Sequence, residues 1–149
     1  MKDKKQTELE PKGEFKQLVK FETGTLSNEV LQGIFNRIPV DITFVNKDDK
    51  VQFYSESGHR IFVRNKAVIG RTVQACHPPK SIHKVQEILD DFRAGKRKTA
   101  DFWINLKGRF IYIRYFAVHD DKGEYLGCLE VTQDVTNIRA LKGEKRLLD

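Results

Sequence analysis

The chain has 149 residues, 39% of them hydrophobic and 32% charged, which is the size and composition of one globular domain. No stretch approaches the roughly 20 apolar residues that span a bilayer, and the polar amino terminus lacks the apolar core of a signal peptide. Two cysteines, Cys76 and Cys128, are too few for a disulfide framework, so we expect a cytoplasmic protein with reduced thiols and no membrane contact.

The formal net charge of +6 raises the question of nucleic-acid binding, because a clustered basic face is typical of proteins that bind phosphate. The amino-terminal lysines alternate with acidic residues. Lys96, Arg97 and Lys98 follow a predicted helix end, where positive charge suits the helix dipole. We therefore interpret the basic residues as solvated surface and expect no nucleic-acid partner.

Residues 1–24 are mostly polar and are interpreted as a linker or the end of a preceding element, with the domain itself beginning near Thr25. The segment TLSNEVLQGIFNRIP predicts a helix that Ser27 caps and Pro39 stops. Its apolar residues recur at helical spacing and form one stripe: Val30, Leu31, Ile34, Phe35 and Ile38. A helix with such a stripe requires a surface to pack on.

The next segment, DITFVNKDDKVQFYSE, predicts a hairpin of two short strands around a polar turn. Residues 55–72 are irregular, with one short helix expected at GHRIFVRN. The stretch GRTVQACHPPKSIHKVQEIL then predicts a long helix, with Pro78 and Pro79 in its first turn, that runs to about Ala94 and ends at Gly95.

Three strongly β-prone runs follow in TADFWINLKGRFIYIRYFAVHDDKGEYLGCLEVTQDV, and the tight turns between them indicate an antiparallel meander. A helical tail is expected over residues 138–149. Alternation along RFIYIRYFAV gives a strand with two partly apolar faces, so both faces need covering. The expected fold is α+β, a five-stranded antiparallel sheet with the long helix and short helices on one face and the amino-terminal helix on or near the other.

Several of these stretches resemble the PAS sensory domains: the first hairpin, Gly70 and the His77-Pro78 pair before the long helix, the last three strands, and Asp134-Val135-Thr136 at the exit. The resemblance places a PAS domain at residues 25–137 and is closest to the carboxyl-terminal PAS modules of bacterial proteins that carry a hemerythrin-like domain. It implies a ligand such as haem, flavin or a small metabolite between the sheet and the long helix, or else a ligand-free module for dimerisation and relay. In either case the chain would be one part of a longer protein.

No enzymatic role is expected, because the chain has no glycine-rich phosphate loop, no nucleophile elbow and no suitably spaced carboxylate pair. The light-sensing flavin branch of the PAS family uses a cysteine within Asn-Cys-Arg. Cys76 instead lies between Ala75 and His77, so that chemistry is not supported.

The Cys76-His77 pair precedes the helix and matches no known metal-binding spacing, so no metal site is expected there. Three interpretations of His77 remain open: a structural connector residue, a pocket residue that contacts a ligand, or an iron or haem ligand. His83 projects opposite the apolar face of the helix and is expected to meet solvent.

A sensing module would have its pocket between the long helix and the sheet. The candidate ligand-binding residues are His77, Cys76, Phe44, Phe53, Ile61, Val73, Val85, Leu89, Ile104, Arg114 and Leu129. Arg114 has two interpretations: a pocket residue that holds a carboxylate or phosphate, or an outer-face residue lying over aromatic neighbours. We also expect a homodimer whose contact includes Leu31, Ile34 and Phe35 near the outer sheet face.

Overall fold

The structure is a computed structural model that describes residues 17–148. The chain divides into two compact units, the first ending at Ile34 and the second beginning at Phe35. Residues 1–16 of the expected linker lie outside the described range.

The first unit contains a hairpin that the sequence interpretation did not include. Strand β1 (Leu18–Phe21) pairs antiparallel with β2 (Gly24–Ser27), and Gly24, at a φ of 148°, serves the tight turn between them. Helix α1 (Asn28–Arg37) follows directly. The Val30 amide donates to Ser27 Oγ at 3.2 Å, so the predicted helix and its cap are confirmed.

The second unit is built on a five-stranded antiparallel sheet in the order β4-β3-β7-β6-β5. The bounds of its strands are β3 (Asp41–Asn46), β4 (Val51–Tyr54), β5 (Thr99–Leu106), β6 (Arg109–His119) and β7 (Tyr125–Asp134). The predicted first hairpin and the meander of the last three strands are confirmed, and the long central strand β7 joins them.

Helices lie between β4 and β5 and after β7. They are the single turn α2 (Val73–Cys76), the long helix α3 (Pro79–Arg93) and the short exit helix α4 (Thr136–Arg139). Pro79 occupies the first position of α3 and Gly95 follows its end at a φ of 72°, as the sequence predicts. α3 buries Leu89 and Phe92 in a core shared with Val45, Val51, Val73 and Cys128.

The prediction of a short helix at residues 58–65 is wrong. A single 3₁₀ turn, Lys66–Val68, forms after it instead. Side-chain bonds hold the segment instead: Arg60 Nη1 donates to Ser55 O at 2.6 Å and to Ile42 O at 3.3 Å, and the Ile61 amide donates to Asp41 Oδ2 at 2.7 Å. These bonds fasten the loop to β3 in an irregular path.

The prediction of a helical tail over residues 138–149 is also wrong for most of that range. Helix α4 ends at Arg139, and residues 140–148 are not helical. Gly143 has a φ of 65°, and Leu147 and Leu148 are almost fully exposed. A short segment without a packed apolar face cannot offset the cost of helix nucleation. Within residues 17–148, no helix has the length and apolarity required to cross a membrane.

Candidate functional site

A cavity lies between α3 and the inner face of the sheet, meaning the face that α3 covers. Its lining comes from both layers and from the connector between them: Thr43, Val45, Val51, Arg64, Val73, Cys76, His77, Val85, Ile88, Leu89, Tyr115, Cys128 and Glu130. The cavity volume is about 30 Å³, which has room for a water molecule or two. Haem and flavin are far larger, so neither fits the cavity in this conformation.

One end of the cavity is polar. Arg64 Nη2 and Glu130 Oε1 form an ion pair at 3.5 Å, and their side chains are only 17% and 12% exposed. The Thr132 hydroxyl donates to the same Glu130 oxygen, also at 3.5 Å. Arg64 Nε is buried and has no hydrogen-bond partner among residues 17–148. Buried polar atoms normally have a partner, so this end of the cavity retains hydrogen-bonding capacity.

The rest of the lining is mostly apolar, and the buried Cys128 thiol, two residues before Glu130 on β7, forms part of it. Burial, with smaller contributions from the charges of Glu130 and Asp49, raises the pKa of Cys128 to about 12. The thiol therefore stays protonated at neutral pH and acts as a small hydrophobic group rather than as a nucleophile.

His77 closes helix α2 from its carboxyl end. Its Nδ1 lies 2.9 Å from Val73 O, and because a carbonyl oxygen can only accept, Nδ1 carries the hydrogen. The ring thus satisfies a helix-end carbonyl while it also lines the cavity. This geometry supports the connector interpretation, and the described residues contain no cluster of three or more His, Cys, Asp or Glu side chains that could hold a metal ion.

Five of the predicted pocket residues line the cavity: His77, Cys76, Val73, Val85 and Leu89. The other six do not. Phe44, Phe53 and Leu129 share a cross-strand row on the outer face, because Thr43 and Val45 take the inner positions of β3. Ile61 lines a separate groove beside Arg109 and Asp134, and Ile104 lies on the edge strand β5.

Arg114 lies on the outer face, as the second interpretation expected. Its guanidinium carbon is 4.9 Å from the ring centroid of Tyr112 and 5.9 Å from that of Phe116, and Nη2 donates to Gln133 Oε1 at 3.3 Å. Arg114 is therefore outside the cavity and cannot hold a ligand there.

The sequence interpretation missed the polar wall formed by Thr43, Arg64, Tyr115 and Glu130. One signal was available. Cys128, Glu130 and Thr132 alternate with Leu129 and Val131 along β7, and that small, polar row resembles a solvent-facing row. It is instead the row that faces α3.

A second group of contacts ties the chain exit to the sheet. Asp134 Oδ1 accepts from the Thr136 amide at 3.0 Å and from its hydroxyl at 2.6 Å, and Thr136 Oγ1 accepts from the Phe110 amide at 2.8 Å. These bonds from Thr136, with Arg109 nearby, lower the pKa of Asp134 below its ordinary value. The end of β7, the start of β6 and α4 are thereby joined.

The residues of the expected dimer contact lie on α1. Ile34 is exposed and Leu31 is half-buried in the first unit, whereas Phe35 belongs to the second unit. The Phe35 ring packs on Phe53 of the outer sheet face, with 5.1 Å between ring centroids. The last turn of α1 therefore covers part of that face.

Comparison with solved structures supports the fold. A crystal structure of a C-terminal domain from Streptococcus mutans is 37% identical, with a TM-score of 0.79 over 85% of this chain and 98% of that one. The PAS domain of Bordetella pertussis BvgS is 20% identical, with a TM-score of 0.53 over 75% of this chain and 91% of that one. A sensory box sensor histidine kinase from Vibrio cholerae is 14% identical, with a TM-score of 0.51 over 72% of this chain and 90% of that one.

The last two likenesses concern the fold alone, and none of the curated proteins matches the chain. Residues 31–136, well over half of the chain, match the model of a family described as PAS domain, and the chain therefore belongs to the PAS domain family.

Proposed function

We propose that this chain is a sensory and signalling module that binds a small molecule in the cavity between α3 and the sheet. The observation that carries the proposal is a cavity whose lining combines the polar groups of Arg64 and Glu130 with apolar side chains from α3 and the sheet. The PAS domain of BvgS and a sensory box sensor histidine kinase share this fold. The proposal includes no catalytic step and places the module in the cytoplasm.

We further propose that the module is part of a longer protein, of the kind that also carries a hemerythrin-like domain. The Streptococcus mutans relative is itself a C-terminal domain. A sensor module needs an output, and the exit contacts supply a route to it. Strand β7 lines the cavity at Cys128 and Glu130 and then reaches Asp134, which holds α4.

Methyl-labelled protein tests the binding step directly. A library of small molecules is screened by NMR while the methyl groups of Val73 and Val85 in the cavity wall are followed, with the exposed Val63 as the internal control. We expect some compounds to shift the cavity methyls and to leave Val63 unchanged. A library without such a compound would contradict the proposed binding function.

The alternative function is a ligand-free module for dimerisation and protein interaction. The small volume of the cavity favours it, and so do exposed apolar residues such as Ile34, at 42%, and Trp103, at 60%. This alternative predicts a homodimer through Leu31, Ile34 and Phe35. Sedimentation at tens of micromolar should then show a dimer that becomes a monomer when Leu31 and Ile34 are both changed to Glu. A monomeric parent at that concentration would exclude it.

A further inference from the structure

The chemistry of the polar end of the cavity restricts the kind of ligand, given the proposed binding function. The ion pair between Arg64 and Glu130 is open. Its 3.5 Å separation exceeds the 2.7–2.9 Å of a strong charge-assisted bond, and Arg64 Nε has no partner among the described residues. Both hydrogen bonds that Glu130 accepts are 3.5 Å long. The Arg64 guanidinium and the Glu130 carboxylate therefore both keep unused hydrogen-bonding capacity at this end.

The charges around this end already balance: Arg64 pairs with Glu130, and the neighbouring Arg60, which donates to the Thr43 hydroxyl of the cavity wall at 3.3 Å, interacts with Asp41. A ligand carboxylate would place a second negative charge beside Glu130 in a largely buried space, where an unbalanced charge is costly. A ligand ammonium would meet Arg64 in the same way. The balance favours an uncharged ligand.

We propose that the cavity recognises an uncharged molecule of the lactam class, in which a ring N–H lies next to a C=O. The carbonyl oxygen accepts from the Arg64 guanidinium, and the ring N–H donates to the Glu130 carboxylate. The rest of the ring contacts the apolar wall of Val45, Val73 and Leu89. A ketone can make only the first of these bonds, and a carboxylate opposes the charge of Glu130.

A ring of this size exceeds about 30 Å³, so binding must move part of the wall. The half-buried residues Val85 and Ile88 of α3 are the movable side, because the opposite side is the hydrogen-bonded sheet. Ligand entry would then displace α3 relative to β7.

Three matched probes test this proposal on the full chain: 2-pyrrolidinone, cyclopentanone and butyrate. Each is titrated while the amides of Cys128 and Glu130 and the methyl groups of Val73 and Val85 are followed by NMR. We expect 2-pyrrolidinone to bind about tenfold more tightly than either other probe, because only it forms both bonds to charged groups.

The variant Glu130→Gln removes the negative charge and keeps the shape of the side chain. Butyrate should then bind about tenfold more tightly than it binds the parent, and more tightly than the lactam binds the variant. Glu87→Gln, an exposed change on α3, is the control and should behave like the parent. Melting temperatures verify that both variants fold.

The outcomes separate the ligand class from the proposed function. If cyclopentanone or butyrate shifts the cavity residues of the parent as strongly as the lactam, the ligand class is wrong, while binding in the cavity stands. An unchanged probe preference in Glu130→Gln overturns the role of the ion pair. If no probe shifts the NMR signal of any cavity residue, the cavity does not admit a molecule of this class.

Discussion

The hydrogen bond from His77 Nδ1 to Val73 O gives the ring a structural role. Changing His77 to Ala leaves that carbonyl without its side-chain partner at the end of a one-turn helix. We expect the free energy of unfolding to fall by about 1 kcal/mol, the typical value of one such bond. Equilibrium denaturation measures it. His83→Ala, at an exposed position of α3, is the matched control and should change the free energy of unfolding little. Equal losses in the two variants would contradict the connector role.

The protonated Cys128 thiol makes the fold sensitive to alkali. Burial raises the pKa of Cys128 from 9.0 to about 12, and burial likewise raises the pKa of Tyr125 from 10.0 to about 12. Between the ordinary and the raised pKa, which means above pH 9 for Cys128 and above pH 10 for Tyr125, the group ionises in the unfolded chain but not in the folded one. The unfolded state then binds fewer protons, so stability falls as pH rises.

We therefore expect the free energy of unfolding to decrease above pH 9, by about 1.4 kcal/mol per pH unit for the buried Cys128 thiol and by less for the half-buried Tyr125 hydroxyl. Denaturation series from pH 7 to pH 11 test this expectation. Cys128→Ala should show a shallower slope above pH 9 than the parent and a parallel profile below pH 8. Identical slopes in the alkaline range would show that Cys128 does not contribute.

At the scale of the elements, periodicity was informative where one face of a segment is polar. It located α1, α3 and the five strands of the large sheet but not β1 and β2, and it gave the correct alternation along β6. It failed to choose the inner face, since large apolar residues such as Phe44 and Leu129 were assigned to it. The sheet has two apolar faces, and the inner row of β7 is small and polar. Side-chain size and hydrophobicity therefore indicate the wrong face.

Periodicity could not predict the irregular loop between β4 and α2, for a different reason. Arg64 reaches Glu130, 66 residues further along the chain, and no local pattern records that contact. Arg60 fastens the same loop through bonds to backbone carbonyls. Long-range bonds of this kind position the side chains at the polar end of the cavity. The apolar part of the lining was therefore predictable from the sequence, and the polar part was not.

Strand β7 contains a glycine that its neighbours require. A Cβ on Gly127 would lie 2.1 Å from Val45 O and 2.8 Å from the Phe44 ring, and its φ is 151°. We expect Gly127→Ala to lower the free energy of unfolding by about 3 kcal/mol or more. Gly33→Ala is the control, because open space surrounds it in α1 and alanine should stabilise the helix by about 1 kcal/mol. Chemical denaturation of both variants decides, and a native-like Gly127→Ala would contradict the described register of β3 and β7.

At the scale of the whole second unit, β7 connects the site to the exit. Its inner row contributes Cys128 and Glu130 to the cavity, and four residues after Glu130 the same strand presents Asp134 to Thr136. Thr136 in turn accepts from the Phe110 amide of β6. A displacement of the cavity wall therefore reaches α4 through one rigid strand and a short set of hydrogen bonds, which gives the proposed relay a physical path.

Amide hydrogen exchange at the exit, in a variant whose cavity is overfilled, tests the proposed relay from the cavity to α4. Val85→Phe places a larger side chain in a space of about 30 Å³ and so imitates a ligand, whereas Lys84→Phe adds the same ring at an exposed position of α3. The amides of Phe110, Val135 and Arg139 report the exit bonds. We expect severalfold faster exchange at these three amides in Val85→Phe and parent-like exchange in Lys84→Phe. A folded Val85→Phe whose exchange changes only around the cavity, with the exit amides protected as in the parent, would contradict the proposed relay.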